Sequence, residues 1–203
     1  MIEKRLGSEI GSGSEKRVFE DLENEDRVIG VFDNENRPET PQQVKARFYL
    51  TKILHLLLPK NIADMHWATS EPRTIQSDKL EHSRLHKILN AGEGEDEASI
   101  DKAKAEDAML NDPSIKQLAK SIEEVGIFLP DAAGLNFSHD ADGNALYMDT
   151  FIAWITDGQG KVMLYFDWNE LGDAIETLGD DEKAKANIYL ERLKVLYEEE
   201  ISK

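Results

Sequence analysis

The pattern of hydrophobic and polar positions begins with short β-rich runs and continues with apolar side chains at helical spacing. Residues 17–20 contain Val18 and Phe19, residues 28–32 are mostly β-branched or aromatic, and the polar turn at 24–26 separates the two runs. Two such runs across a short turn predict an antiparallel hairpin. Residues 42–58 repeat apolar side chains at helical spacing, become apolar nearly all round toward their end, and stop at Pro59. That pattern predicts a helix that is buried on most sides.

Two further short strands and a second helix are predicted beyond that proline. Residues 62–69 and 73–77 are short strand candidates on either side of Glu71-Pro72. Residues 114–125 again repeat apolar side chains at helical spacing, and Gly126 follows them directly. Because glycine adopts the left-handed backbone conformation without strain, it suits the C-cap of a helix ending there.

The C-terminal part of the pattern contains two hairpin turns and one long helix. The turns are predicted at 140–144 and 157–160, where Asp, Asn and Gly cluster between β-rich runs. Residues 181–202 begin with acids and continue as an amphipathic helix. Because strands and helices are segregated along the chain, the order predicts an α+β fold with two lobes.

Composition and charge narrow the classes of function. Lys and Arg number 24 against 41 Asp and Glu among 203 residues, so the formal net charge is −17. Such a chain repels a phosphate backbone, and we expect no nucleic-acid partner. The chain has no cysteine, which excludes disulfides and thiolate metal ligands. It has neither the apolar core of a signal peptide nor a run of roughly 18 apolar residues, so we expect a cytoplasmic protein without membrane contact.

Much of the acidity lies in one stretch. Between residues 93 and 112 there are eight acids and two bases, with few large apolar side chains. Dense charge with little to bury predicts a solvated helix or mobile insert, which we place at 91–112.

Three separated motifs carry candidate chemistry. Gly11 and Gly13 directly precede a strand, and glycines let backbone amides approach a phosphate closely. Asp131 and Asn136 lie five residues apart on a predicted loop, where a carboxylate can accept a hydroxyl proton and an amide oxygen can bind a hard cation. Asp149 follows thirteen residues after Asn136, at the end of a predicted strand. Since Mg²⁺ usually takes only one or two ligands from protein, Asn136 and Asp149 would suffice.

With these motifs the sequence resembles the protein-kinase-like superfamily over roughly residues 8–150. Asp131 stands at the position of that family's proton-accepting Asp, and Asn136 at its metal-binding Asn. Asp149, in Met148-Asp149-Thr150-Phe151, stands at the Asp of the Asp-Phe-Gly motif, and both intervals are those of the family. Residues 11–19 resemble the glycine-rich loop at its first two glycines and at the following Val.

The departures from the family pattern affect phosphate binding. The strand that should end in the phosphate-holding lysine has Gly30 instead, and residues 45–54 of the helix C-like helix contain no acid to pair with such a lysine. The His-Arg before the catalytic Asp is replaced by Leu129-Pro130. Lys16 occupies the third-glycine position of the loop, where with-no-lysine kinases place their substitute lysine. The resemblance therefore offers Lys16 as the phosphate-binding residue, against the reading of a solvated strand lysine.

The resemblance implies a two-lobed α+β fold. Residues 1–79 would form the N-lobe, a small antiparallel sheet with one helix, and 80–203 a reduced, mostly helical C-lobe. ATP and Mg²⁺ are the implied cofactors.

Three functions stay open. The leading one is a pseudokinase, a nucleotide-binding or interaction module with weak or no catalysis and an unknown protein partner. The second is an active Mg-ATP-dependent phosphotransferase acting on a small molecule, with Asp131 as base and Lys16 on the phosphates. The third is a scaffold that binds no nucleotide.

Overall fold

The computed structural model describes residues 2–12, 15–33, 39–70, 73–80, 111–129 and 136–203. Within them the fold is α+β, with a five-stranded antiparallel sheet, two small hairpins and four α-helices. Three sequence predictions lie outside the described residues: the phosphate-loop role of Gly13, the catalytic role of Asp131, and the acidic insert apart from its last two residues, 111 and 112.

The N-terminal half forms an antiparallel sheet, as the β-rich runs predict. Its strands run in the spatial order β1-β2-β3-β5-β4, and one helix, α1, connects β3 to β4. The bounds are β1 (Leu6–Ser12), β2 (Arg17–Asp21), β3 (Arg27–Val31), α1 (Pro41–Leu57), β4 (Met65–Ser70) and β5 (Arg73–Asp78). The predicted hairpin is β2–β3, and the predicted strand pair is β4–β5, with β4 beginning three residues later than expected.

Helix α1 lies between the sheet and the C-terminal half. Its first turn is fixed by a capping box, in which the Thr40 side chain accepts from the Gln43 N–H and the Gln43 side chain accepts from the Thr40 N–H. Val44 packs on the sheet side, while Leu50 and Leu54 enter the larger core on the other side. Burial on two faces explains why the sequence is apolar nearly all round, so that prediction is confirmed.

The C-terminal half builds the larger core from two hairpins and three helices. Its elements are α2 (Pro113–Glu124), β6 (Phe137–His139), β7 (Ala145–Tyr147), β8 (Trp154–Thr156), β9 (Val162–Leu164), α3 (Trp168–Glu176) and α4 (Asp180–Ile201). Both predicted hairpin turns and the predicted helices α2 and α4 are confirmed. Helix α3 was not predicted. Among the described residues, no helix is long and apolar enough to cross a membrane.

Contacts between the two halves run through the segment after α1 and through α4. The Tyr147 N–H donates to the Asn61 carbonyl at 2.8 Å, and the Asn61 side chain donates to the Ala145 carbonyl at 2.7 Å, which fixes the β6–β7 hairpin beside the end of α1. On the outer side of α1, the Tyr49 ring stacks on the Tyr189 ring of α4 with centroids 6.1 Å apart. The hairpin that carries the candidate site is therefore held directly against α1.

Candidate functional site

An ion pair joins the two halves at the centre of the candidate site. The Lys16 Nζ donates to the Asp149 Oδ1 across 133 residues of sequence. Lys16 directly precedes β2, and Asp149 lies two residues beyond the end of β7. Both side chains are partly buried, with 19% and 29% of their surface exposed. The two residues that the family resemblance assigned to phosphate and metal are thus in contact, and Lys16 is not a solvated strand lysine.

Gly30 leaves the room that the Lys16 side chain occupies. In the β2–β3 pairing Gly30 lies opposite Val18, two residues from Lys16. A Cβ at Gly30 would lie 3.4 Å from the Lys16 Cδ and 3.7 Å from the Phe32 ring. The Lys16 ammonium itself is 5.8 Å from the centroid of that ring. The stem of Lys16 therefore runs beside Gly30, and a side chain at position 30 would compete with it for space.

Two cations hold Asp149 in its ionised form. Burial favours the neutral acid, but the charges of Lys16 and Arg47 and the hydrogen bond from Lys16 outweigh it, and the pKa of Asp149 is lowered. The backbone N–H of Thr150 also donates to Asp149 Oδ1 at 2.7 Å. A carboxylate that stays charged at neutral pH and below is suited to a divalent cation.

Asn136 lies at the same end of the β6–β7 hairpin as Asp149. Phe137 pairs with Tyr147, and the Met148 N–H donates to the Asn136 carbonyl at 2.9 Å, so the pairing extends one residue beyond the strands. The described residues contain no cluster of three or more acid or histidine ligands that could hold a metal without further ligands. Asn136 and Asp149 together fit Mg²⁺ only if phosphate and water complete its coordination, which is the usual arrangement for this ion.

Gly11 takes its place in the sheet next to this site. It pairs with Val18 across the β1–β2 hairpin, after an irregularity in the register between Glu9 and Gly11. A Cβ at Gly11 would meet only the Val18 side chain, at 3.9 Å. Gly11 therefore lies in β1 opposite the strand that follows Lys16.

Arg47 is the residue that the sequence analysis did not identify. It lies on α1, it is only 2% exposed, and its guanidinium contacts the carboxylates of Glu15 and Glu39. It also donates to the Thr150 carbonyl and hydroxyl at 3.2 and 3.3 Å. Residues 45–54 contain no acid, and this part of α1 instead carries Arg47, which is paired with Glu15 and Glu39 from outside the helix. Burial acts against its charge, but Glu39 and Glu15 more than compensate, so the pKa of Arg47 is raised.

A second polar cluster, of Asp112, Ser114 and His139, has a structural explanation. Asp112 is the N-cap of α2, accepting from the backbone N–H groups of Ser114 and Ile115 at 2.7 and 3.2 Å. The hydrogen bond from the Ser114 hydroxyl and these backbone bonds lower the pKa of Asp112 to about 2. His139 Nε2 is 3.1 Å from the Ser114 hydroxyl and 3.5 Å from Asp112. Because serine and carboxylate contact the same ring nitrogen, the group lacks the relay of a hydrolytic triad.

Comparison with known proteins does not assign the chain to a family. No protein-family model matches the sequence, and no curated protein matches it significantly.

Proposed function

We propose that this chain is a divergent kinase-like module that binds a magnesium nucleotide and has weak or no phosphotransfer activity. The contact between Lys16 and Asp149 carries the proposal. The resemblance gave these residues the phosphate and the metal, and they lie 133 residues apart in sequence. The pair supports the proposal because the two side chains to which the resemblance assigns phosphate and metal are close enough to contact one ligand.

Each residue of the pair has a defined part in binding. Lys16 would donate to a phosphate oxygen, and Asp149 with Asn136 would offer oxygen ligands to the metal. When bound, Mg²⁺ would neutralise phosphate charge. In the structure Lys16 and Asp149 form an ion pair. If only the nucleotide or only the metal binds, this ion pair is broken and one of its two members loses its partner without gaining a new one. Nucleotide and metal together replace both partners at once, and we expect them to bind synergistically.

The weak catalysis follows from what surrounds Lys16. Phosphoryl transfer depends on preorganised charge around the transferring group. A helix carboxylate that would orient the lysine is absent, since α1 presents Arg47 and has no acid over 45–54. Once Asp149 turned to the metal, Lys16 would lose the carboxylate that holds it here. Binding survives such a loss of precision better than catalysis does.

The second candidate is an active phosphotransferase, and the same contact favours it. Lys16 and Asp149 would then hold the ground-state phosphates and metal, whereas Asp131 would act on the acceptor hydroxyl during transfer. For an active enzyme Asp131→Asn is expected to spare binding and abolish turnover. For the pseudokinase it is expected to change nothing in a phosphotransfer assay.

Binding of Mg-ATP to variants of the pair tests the proposal. Lys16→Ala and Asp149→Ala are each expected to weaken binding about tenfold or more, because each removes a charged contact. The matched controls are Lys52→Ala and Asp64→Ala. Lys52 and Asp64 form an ion pair whose side chains are 16% and 29% exposed, close to the values for Lys16 and Asp149. This control pair takes no part in the contact between Lys16 and Asp149. Binding unaffected by the Lys16, Asp149 and Asp131 changes would reject both kinase-like functions and leave the scaffold.

A further inference from the structure

We propose that Arg47 is a positioning residue that sets the placement of both Lys16 and Asp149 from helix α1. The proposal rests on the function proposed above, in that it concerns the same site. Neither the sequence pattern nor the family resemblance contains this feature, because helix C of that family carries an acid, whereas residues 45–54 have none.

The geometry of the proposal is a second bridge parallel to the first. Arg47 Nη2 donates to Glu15 Oε2 at 2.6 Å, and Glu15 directly precedes Lys16. Arg47 Nη1 donates to the Thr150 carbonyl at 3.2 Å, and Thr150 directly follows Asp149. Glu15 and Thr150, the sequence neighbours of Lys16 and Asp149, are therefore hydrogen-bonded to the same guanidinium. Lys16 and Asp149 do not have to find each other by their own attraction alone.

The guanidinium is used fully, which explains why it can be buried. Its Nε donates to Glu39 Oε2 at 2.8 Å and its Nη2 to the other oxygen of Glu39, so this pair is bidentate. Glu15 and the two oxygens of Thr150 accept from the remaining N–H groups. The flat face lies over Phe32, with the Arg47 Cζ 5.5 Å from the ring centroid. A lysine has one ammonium and cannot span these acceptors, so the arrangement requires arginine.

Helix α1 supplies a rigid base for this clamp. One turn after Arg47, the Thr51 hydroxyl accepts from the Phe151 N–H at 3.1 Å. The Tyr147 and Phe151 rings then stack with centroids 4.3 Å apart. Two successive turns of one helix thus hold Asp149-Thr150-Phe151, while Arg47 also reaches the residue before Lys16. Any movement of α1 is expected to displace both members of the ion pair.

The test measures Lys16 directly and needs no nucleotide. Lysine acylation by a water-soluble ester, followed by mass spectrometry, reports whether the Lys16 ammonium is free. In Arg47→Lys and in Glu15→Gln we expect Lys16 to react about fivefold faster than in the unmodified chain, the change that release of a partly exposed ion pair produces. Lys52→Met, on the same helix, is the control and should leave the Lys16 rate unchanged. In parallel, the dissociation constant for Mg-ATP is expected to rise about tenfold in both test variants.

The outcomes separate this inference from the proposed function. Faster acylation of Lys16 in the two test variants supports the positioning role even if the unmodified chain binds no Mg-ATP, in which case the proposed function alone fails. Unchanged Lys16 acylation in folded variants overturns the positioning role of Arg47. This holds even if the thermal unfolding midpoint falls, because Arg47 would then contribute to stability alone. If Arg47→Lys does not fold, Glu15→Gln decides, since Arg47 keeps Glu39 and Thr150 in that variant.

Discussion

Moving the lysine from position 16 to position 30 provides a sensitive test of the site geometry. Gly30 has no positive backbone φ, so a side chain there is free of backbone strain. Among the described residues, the heavy atom nearest to a new Cβ is the Lys16 Cδ at 3.4 Å, followed by Phe32 at 3.7 Å and the Ile75 carbonyl at 3.8 Å. Gly30→Lys should therefore have opposite effects depending on whether Lys16 is present.

The size of each effect follows from those distances. With Lys16 in place, the added side chain crowds its stem and puts a second ammonium beside one carboxylate, which we expect to cost about 1–3 kcal/mol. In the Lys16→Ala background the crowding atom is gone, and the remaining neighbours are at ordinary contact distance. The introduced lysine can then pair with Asp149, an interaction worth about 1–2 kcal/mol for a group between exposed and buried. The coupling between the two positions, which is the difference between these two effects, is thus about 2–5 kcal/mol.

Urea unfolding of the four chains in this cycle measures that coupling. Each single change is expected to lower the free energy of unfolding. The double variant is expected to have a higher free energy of unfolding than Lys16→Ala alone. Binding of Mg-ATP, which Lys16→Ala is expected to weaken, should be restored in part in the double variant. If Gly30→Lys has the same effect with and without Lys16, the two positions do not share space and the reasoning is wrong.

Two further predictions concern the fold around the site. Gly126 has φ +83°, and a Cβ there would lie 2.7 Å from the Glu170 Cβ, so Gly126→Ala should lower the free energy of unfolding by about 2–4 kcal/mol. The control Gly172→Ala lies in α3 with open space around it and should raise the free energy of unfolding by about 0.5–1 kcal/mol. Equal unfolding midpoints for the two variants would contradict both expectations. Asp112→Ala should lower the free energy of unfolding, measured in urea at pH 7, by about 1 kcal/mol. Because the pKa of Asp112 is lowered to about 2, its stabilising contribution should be complete above about pH 4 and should disappear as the pH falls toward 2. A stability difference between the two chains that persists at pH 2 would exclude the charged cap.

The sequence pattern was sufficient for elements whose burial is simple. Helix α1 and the three hairpins have apolar residues at regular spacing between clear turns, and each was predicted. Helix α3 was missed because it is nine residues long and buries only Leu171 and Ile175 fully. Asp167 was the available signal, since it caps that helix by accepting from the N–H groups of Asn169 and Glu170.

The candidate site was only half readable from sequence. Lys16 and Asp149 could be found because the spacing of motifs resembles a known family. Arg47 could not be found that way, since the family pattern has an acid and not an arginine on this helix. Its position was nevertheless a signal: it falls with Val44 and Thr51 on the buried stripe of α1. A charged residue on such a stripe requires partners from elsewhere in the chain, and which acids supply them depends on tertiary contacts.

The most direct test of the central claim is the thermal unfolding midpoint with ATP and MgCl₂, added separately and together. A ligand that binds only the folded chain raises the midpoint, and at a hundred times its dissociation constant the rise for a chain of this size is about 5–10 °C. Because Lys16 and Asp149 satisfy each other until both find new partners, the rise with ATP and Mg²⁺ together is predicted to exceed the sum of the separate rises. No rise with both present at millimolar concentration would contradict nucleotide binding at this site.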